Sequence, residues 1–292
     1  MAEIITSRWL SPAKLNLFLH ILDRRIDGYH NLETVFQFLD YGDDLTFTRR
    51  NDDQVNLTTP IFGVPNDDNL IIRAAQVLKN NAEKDDPLGV DIQIRKNLPM
   101  GGGLGGGSSN AATTMIALNH LWNTGFSEEQ MLTLGLQLGA DVPVFISGKA
   151  CFAEGVGEIM TPCEPPEIWF LVLIPKIQVN TGEIFSNPAL TRNSKSLRIR
   201  APLNWDQLAD YRNDCEIAVR QLYPEIDEAI KWLENHSLAR LTGTGACVFS
   251  PFKTEQEARK IAALVPDSYN HFVAAANNIS KGIKPIELVL DE

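Results

Sequence analysis

Between Pro99 and Asn110 the chain reads PMGGGLGGGSSN, with six glycines in the seven positions from Gly101 to Gly107. Glycine costs roughly 0.5–1 kcal/mol relative to alanine in a folded segment, so a run this dense is either a flexible hinge or a site that side chains would obstruct. Peptide N–H groups at the start of a helix attract anions, and bare glycines let a phosphate approach them. The stretch therefore indicates phosphate binding, with a hinge between packed elements as the alternative.

Two well-known phosphate loops fit this stretch poorly. A Walker A loop needs a lysine directly after its last glycine, and here serine follows the glycines. The dinucleotide pattern GxGxxG is satisfied by Gly101, Gly103 and Gly106, as it would be in any run this rich in glycine. The acidic residues about 20 positions further on, Glu128 and Glu129, fall at a predicted helix start, whereas ribose recognition needs an acidic residue at a strand end.

The segments on either side of the glycines predict how the run is held. Val90–Arg95 alternates as a strand does, and Ser108–Trp122 has apolar residues at helical spacing. A second helix is expected over Ser127–Leu138, where Ser127 and Gln130 form a capping box. The helix ends at Gly139 and is followed by the residues ADVP. The local order is therefore strand, glycine loop, helix.

Upstream of the loop the sequence is rich in strand patterns. Ala13–His20 alternates, which places Lys14 and Asn16 on the same face of a half-buried strand. Further strands are expected at 34–38, 45–48 and 55–57, separated by turns rich in Asp, Asn and Gly, and a helix is expected over 69–80.

Downstream, the stretch TPCEPP at Thr161–Pro166 suggests a domain boundary, so we expect domains at 1–160 and 161–292. The second part begins with the apolar run Trp169–Ile174, which predicts a buried strand. The remaining patterns predict helices over 215–222 and 226–234 and strands over 246–250, 271–275 and 286–290. Together they indicate a smaller α+β domain.

Composition bounds the class of protein. The 292 residues are 44% hydrophobic and 22% charged, as in a globular enzyme, with disorder expected only at the ends and over Thr191–Arg200. A net charge of −11 argues against long nucleic acid as a partner. Four dispersed cysteines without a CxxC pair suggest reduced thiols and no zinc site. No apolar run reaches the roughly 20 residues of a membrane span, and the N-terminus lacks a signal-peptide pattern, so we expect a cytoplasmic protein with no membrane partner.

Four stretches, in order, carry a resemblance to a known family. PMGGGLGGGSSNAA resembles the phosphate-binding motif of the GHMP small-molecule kinases, and three further stretches resemble other motifs of that family: SPAKLNLFLHILDRRIDGYHNLETVFQFLDYGD, LGADVPVF and LTGTGACVF. The resemblance implies a two-domain α+β fold. The N-terminal domain would be of the ribosomal protein S5 domain 2-like type, the C-terminal domain would be the GHMP α+β domain, and the active site would lie in the cleft between them.

The resemblance also implies an activity, the ATP- and Mg²⁺-dependent phosphorylation of an alcohol. It places the catalytic pair at Lys14 and Asp141. Asp141 would accept the hydroxyl proton, and Lys14 would keep that carboxylate ionised and orient the hydroxyl. Ser108 is the candidate Mg²⁺ ligand. The residues expected to contact ATP are Pro99, Met100, Gly101, Gly102, Gly103, Leu104, Gly105, Gly106, Gly107, Ser108 and Ser109.

The N-terminal stretch SPAKLNLFLHILDRRIDGYHNLETVFQFLDYGD is most similar to one branch of the family. That branch acts on a cytidine diphosphate derivative of a methylated sugar alcohol, in non-mevalonate isoprenoid synthesis. In that case Tyr29 would stack on cytosine and His30 would hydrogen-bond to its edge. Phe185 would be the opposite stacking face, with Thr181 as a nearby polar contact. Asn16 would touch the substrate.

Other interpretations remain open. LTGTGACVF is equally typical of a hairpin turn, and the resemblance places Asn69 and Lys96 only loosely near adenosine. The alternatives to this substrate are a GHMP kinase for another small alcohol, such as homoserine or mevalonate, an S5-like RNA-binding module, and a nicotinamide oxidoreductase. The oligomeric state is expected to be monomer or homodimer.

Overall fold

Two long strands of 21 residues each organise the fold. The computed structural model describes residues 4–84, 86–197, 204–205, 208 and 210–291. The two long strands are β1 (Ile4–Arg24) and β2 (His30–Arg50), paired antiparallel with register shifts at three places. The strand expected at 13–20 lies inside β1. The turn expected between 38 and 45 is wrong, because β2 continues through it.

The polar residues that suggested this turn are accommodated inside the sheet. Gly42 lies opposite Pro12, and a Cβ at Gly42 would come within 2.0 Å of the Ser11 carbonyl oxygen. The following residue, Asp43, is fully buried. Glycine here permits close approach of two backbones, which its sequence context does not distinguish from a turn.

The first part of the chain adds two strands and four helices to this hairpin. These are β3 (Val55–Leu57), a 3₁₀ turn (Asn66–Asp68), α1 (Leu70–Asn81), β4 (Gly89–Arg95), α2 (Gly106–Leu121), α3 (Glu128–Leu136) and α4 (Val142–Ser147). The capping box predicted for α3 is confirmed, with Ser127 and Gln130 bonded reciprocally. The residues VPVFIS that follow LGAD form α4, with proline in its first turn, where a missing N–H costs nothing.

After α4 the chain forms further strands and short helices. They are β5 (Cys151–Glu154), β6 (Ile159–Pro162), β7 (Trp169–Ile174), α5 (Thr181–Ser186), α6 (Glu216–Leu222), α7 (Pro224–Glu234), β8 (Arg240–Leu241), β9 (Val248–Phe252), α8 (Glu255–Ala262), β10 (Asn270–Asn277), a 3₁₀ turn (Lys281–Ile283) and β11 (Glu287–Asp291).

All eleven of these strands belong to one sheet, whose main path is β11-β1-β2-β10-β7-β9-β8. The two halves of the chain meet where Ala276 and Asn277 of β10 pair with Leu39 and Phe38 of β2. The last strand, β11, returns to pair with β1. The boundary expected at 160/161 stays a prediction, and these two pairings cross it.

Three apolar clusters fill the interior. One packs α1 and α2 on the sheet around Trp9 and Met115, one lies at the centre around Phe18 and Phe249, and one lies below α7 around Ile230. Each large side chain buried in this way contributes roughly 1.5–3 kcal/mol to folding.

The stretch expected to be disordered, Thr191–Arg200, is described as far as Leu197 and is tied to the core. Ser196 Oγ and the Leu197 amide donate to the carboxylate of buried Glu33 at 2.6 and 2.7 Å. That expectation is therefore wrong for 191–197, and 198–200 lies outside the described residues. In the described part of the chain, no helix has the length and apolarity needed to cross a bilayer.

Candidate active site

One cavity of about 930 Å³ brings together residues from both halves of the chain. It is bounded by the glycine loop, by the middle of β1, by the start of β2 and α5, and by the turn between β8 and β9. Of the site residues predicted from sequence, those lining it are Lys14, Asn16, Tyr29, His30, Pro99, Met100, Gly101, Gly102, Gly103, Leu104, Gly105, Gly106, Gly107, Ser108, Asp141, Thr181 and Phe185.

A cation and a carboxylate meet at the centre of this cavity. Lys14 Nζ lies 3.3 Å from Asp141 Oδ2, 2.5 Å from Asn16 Oδ1 and 5.0 Å from the centroid of the Phe36 ring. The Lys14 side chain is only 4% exposed, while that of Asp141 is 34% exposed. The ammonium group is thus held against the protein, and the carboxylate keeps a free face toward the cavity.

The third polar group, Asn16, is fixed by a chain of hydrogen bonds. Its Nδ2 donates to Thr34 Oγ1 at 3.0 Å, and that hydroxyl donates to the Phe18 carbonyl at 2.5 Å. This pattern leaves only the amide oxygen of Asn16 to face Lys14. The backbone amide of Asn16 donates to Thr242 Oγ1 at 3.1 Å, which ties β1 to the β8–β9 turn.

The density of glycine in the phosphate loop has local steric causes. Gly103 and Gly105 have φ of +75° and +73°, a region that side chains disfavour. A Cβ at Gly103 would lie 2.1 Å from the Thr242 carbonyl oxygen, and one at Gly105 would lie 2.8 Å from Phe145 Cζ. These two positions therefore need glycine for close packing as well as for backbone conformation.

The carbonyl groups of the loop are used up within the protein. Three of them accept hydrogen bonds from backbone amides of segments distant along the chain: Gly101 from Ala246 at 3.2 Å, Gly102 from Cys247 at 3.1 Å and Leu104 from Lys14 at 3.0 Å. Since α2 begins at Gly106 and its first backbone bond runs from Ser109 N to Gly105 O, the amides of 106–108 have no partner within the helix. The loop thus offers donors to an anion.

The two serines that follow the loop differ. Ser109 is fully buried and its hydroxyl accepts from Ser11 Oγ at 2.8 Å, so its side chain does not line the cavity. Ser108 lines the cavity, and its hydroxyl has no hydrogen-bond partner among the described residues. Within that same part of the chain, no group of three or more His, Cys, Asp or Glu side chains could form a metal cage.

A buried carboxylate that the sequence did not reveal anchors both flanks of the loop. Asp43 accepts from Lys96 Nζ at 2.6 Å and from Asn110 Nδ2 at 3.0 Å. It also accepts from the amides of Asn97 and Leu98, each at 2.8 Å. Charge-assisted hydrogen bonds of this kind are the strong ones, so Asp43 fixes the entrance of the loop relative to α2.

Two aromatic rings are stacked at the other end of the cavity. The rings of His30 and Phe185 lie 5.1 Å apart, centroid to centroid, at 25°. His30 is 6% exposed, whereas Tyr29, beside it on the cavity wall, is 65% exposed. Thr181 Oγ1 lies 2.9 Å from Thr244 Oγ1 and closes this end against the β8–β9 turn.

Arg192 joins the two rings and was missed in the sequence, because it falls in the stretch expected to be disordered. Its Nε donates to His30 Nε2 at 3.3 Å, and its Nη2 donates to the carbonyls of Phe185 and Asn187 at 2.8 and 2.9 Å. Burial and the Arg192 guanidinium lower the pKa of His30 below its ordinary value. Both effects favour the neutral form of the ring.

The similarity of this chain to known proteins decides its family. The family model described as GHMP kinases N terminal domain matches residues 69–149, and the GHMP kinases C terminal model matches residues 188–271. The chain belongs to the GHMP kinase family.

Relatives of this GHMP kinase share most of its length. It is 54% identical to the 4-diphosphocytidyl-2-C-methyl-D-erythritol kinase of Pseudomonas paraeruginosa, over 96% of this chain and 97% of the relative. It is 55% identical to the enzyme of the same name from Marinobacter nauticus, over 92% and 94% of the two chains.

Solved structures agree with the family. A crystal structure of 4-(cytidine 5'-diphospho)-2C-methyl-D-erythritol kinase matches with a TM-score of 0.81 at 30% identity, covering 92% of this chain and 98% of that chain. A homoserine kinase from Cytophaga hutchinsonii shares the fold, with a TM-score of 0.70 at 14% identity, over 99% and 98% of the two chains. The predicted two-domain GHMP kinase fold is confirmed.

Proposed function

We propose that this GHMP kinase transfers the γ-phosphoryl group of ATP to the 2-hydroxyl of 4-diphosphocytidyl-2-C-methyl-D-erythritol, giving the 2-phosphate and ADP. The reaction belongs to the non-mevalonate synthesis of isoprenoid precursors. The observation that carries the proposal is that one cavity holds the Lys14–Asp141 pair beside a phosphate-binding loop and the His30–Phe185 ring pair at its other end. Relatives more than half identical over nearly the whole chain bear the name of this activity.

The central pair performs the proton transfer. Asp141 accepts the proton of the 2-hydroxyl while the oxygen of that hydroxyl forms a bond to the γ-phosphorus. The bond from this phosphorus to the β–γ bridging oxygen breaks and releases ADP. The Lys14 ammonium, 3.3 Å from Asp141, stabilises the ionised carboxylate and the charge on the transferred group. Asn16 orients Lys14 through its amide oxygen. Transfer is direct, without a phosphoenzyme.

The glycine loop holds the phosphates of ATP. Residues 99–108 line the cavity, and the amides of 106–108 provide the donors. Lys96 and Asn69 also line the cavity and lie near adenosine in this proposal. Ser109 is left out, because its side chain contacts Ser11.

The donor chemistry fits Mg²⁺. This ion keeps several waters and needs only one or two protein oxygens besides phosphates, and the Ser108 hydroxyl, which bonds no other group in the described part of the chain, can offer one. When bound, Mg²⁺ neutralises charge on the phosphates.

The cytidine end provides recognition. Tyr29, on the exposed wall, and Phe185 offer faces for stacking, and His30 offers a ring nitrogen to the edge of the base. Thr181 is the polar contact beside them. The cytoplasmic location and the choice between monomer and homodimer stay predictions, and light scattering after gel filtration measures the second.

The test is a coupled assay of ADP release with MgATP and the cytidyl substrate, with homoserine and mevalonate as competing acceptors. Asp141→Asn keeps the shape of the side chain but cannot take the proton, so kcat should fall at least about 100-fold while KM stays close to wild type. Asp267→Asn, the same change at an exposed loop position, is the control. Near-normal turnover of Asp141→Asn would refute the role of Asp141 as the general base. Equal use of homoserine would refute the proposed acceptor substrate.

A further inference from the structure

The hydrogen bond between Arg192 and His30 determines where the proton of the His30 ring lies. Every N–H of a guanidinium is a donor and none of its nitrogens accepts, so His30 Nε2 must accept from Arg192 Nε through its lone pair. In a neutral imidazole the other nitrogen, Nδ1, then carries the proton. The lowered pKa of His30 agrees with a neutral ring.

The remaining ring nitrogen is free for a ligand. Nδ1 of His30 has no hydrogen-bond partner among the described residues. The fully buried polar atoms without a partner in that part of the chain include His20 Nδ1 but not His30 Nδ1. The Nδ1 atom of His30 is therefore not fully buried. Because His30 lines the cavity and its Nε2 is bonded to Arg192, Nδ1 is the ring nitrogen left to bond a ligand there.

We infer that Arg192 is a positioning residue which sets His30 as a hydrogen-bond donor at Nδ1 and thereby selects cytosine over uracil at the nucleoside end of the cavity. Cytosine has a lone pair at N3 and accepts from such a donor. Uracil carries a proton at N3, so the two N–H groups would face each other. This inference rests on the proposed function, because it takes a cytidine nucleotide as the occupant.

Arg192 is built into this place rather than lying on the surface beside it. Four of its five N–H donors are used, one on His30 and three on the carbonyls of Phe185, Asn187 and Leu190. Three of these contacts hold the chain at the end of α5, which carries the Phe185 ring. The fourth contact, with His30, affects which base is recognised, and we expect a change in specificity only from its loss.

The experiment compares the cytidine substrate with its uridine counterpart. Wild type should prefer cytidine in kcat/KM by about 10- to 100-fold, the range expected when one buried donor is left without an acceptor. In Arg192→Met the His30 tautomer is no longer fixed, so the preference should fall by about tenfold, mainly through KM for the cytidine substrate. Arg192→Lys can still donate to Nε2 and should restore most of the preference.

Two controls separate specificity from structure. Arg212→Met removes a neighbouring, largely exposed arginine that bonds Asp214 and Ser194, and it should leave the cytidine preference unchanged. Phe185→Leu weakens stacking, which does not distinguish bases, so KM should rise by a similar factor for both substrates. If Arg192 had a merely structural role, Arg192→Met would behave like Phe185→Leu, with a similar rise of KM for both substrates.

A spectroscopic readout needs no turnover. The ¹⁵N chemical shifts of the His30 ring, assigned by their loss in His30→Asn, should show a protonated Nδ1 and an unprotonated Nε2 in wild type at pH 7, and a changed distribution in Arg192→Met. A proton on Nε2 in wild type, or an unchanged cytidine preference in Arg192→Met, would overturn the inference. A wild-type protein with the Nδ1–H ring but no activity on the cytidine substrate would instead refute the proposed function.

Discussion

Replacing Gly103 by alanine should disable the phosphate loop for a reason that can be separated from backbone strain. Gly103 and Gly125 have the same φ, +75°. Alanine costs about 1–2 kcal/mol in this region at either position. The two sites differ in their surroundings, because a Cβ at Gly125 meets nothing within 4 Å, whereas one at Gly103 would lie 2.1 Å from the Thr242 carbonyl oxygen.

The clash translates into a displacement of the site. Cβ atoms essentially never come closer than 3.0 Å to such an atom, so the loop and the β8–β9 turn must move apart by about 0.9 Å. Thr242 also binds the Gly103 carbonyl and the Asn16 amide through its hydroxyl, so the shift reaches the strand that carries Lys14. A misplacement of about 1 Å can cost 100-fold in rate, or about 2.7 kcal/mol of transition-state stabilisation.

The assay is ADP release at saturating cytidyl substrate over a range of MgATP, together with urea denaturation of both variants. We expect kcat/KM for ATP to fall about 100-fold in Gly103→Ala and less than about threefold in Gly125→Ala, although both lose stability. If Gly103→Ala kept a third of wild-type kcat/KM, or if Gly125→Ala lost as much, the steric argument would be refuted.

Three further results are expected. Asp43→Asn leaves donors facing donors in the core, so the free energy of unfolding should fall by about 3 kcal/mol and KM for ATP should rise, in urea denaturation and initial-rate measurements. The pKa values of His20 and His30 are lowered mainly by burial, so the unfolded chain binds more protons below about pH 6.5. The free energy of unfolding should therefore drop from pH 7 to 5, and His20→Gln should flatten that dependence in urea titrations at each pH; a rise on acidification would contradict it. Thr34→Val frees the amide of Asn16 to rotate, so kcat should fall about tenfold with KM for ATP unchanged, and an unaltered kcat would show that the orientation of Asn16 does not matter.

The sequence predicted those elements whose signal lies within a few residues. The helix over α1, the capping box of α3 and the buried strand β7 all follow from local periodicity or capping, and the structure has them within a few residues of the expected bounds. The glycine loop was also visible, since a run of this density has few physical explanations.

What the sequence did not reveal depends on partners far along the chain. Asp43 looked like a turn residue because aspartate after glycine usually is one, and its actual partners lie 53 to 67 residues away. Arg192 sits in a polar stretch with no periodicity, and its link to His30 spans 162 residues. Neither contact leaves a pattern in the local sequence, so both can be identified only in the folded structure.

The β1–β2 hairpin accounts for how such distant pieces form one site. It carries Lys14 and Asn16 on one strand and His30 at the start of the other. The phosphate loop docks on it through the hydrogen bond from the Lys14 amide to Leu104, and the β8–β9 turn docks through the bond from the Asn16 amide to Thr242. Because both contacts are made by the backbone of β1, side-chain substitutions in the hairpin should alter chemistry or recognition while leaving the loop and the turn attached. The phosphate loop and the β8–β9 turn are thus held in register by hydrogen bonds from backbone amides of the same strand.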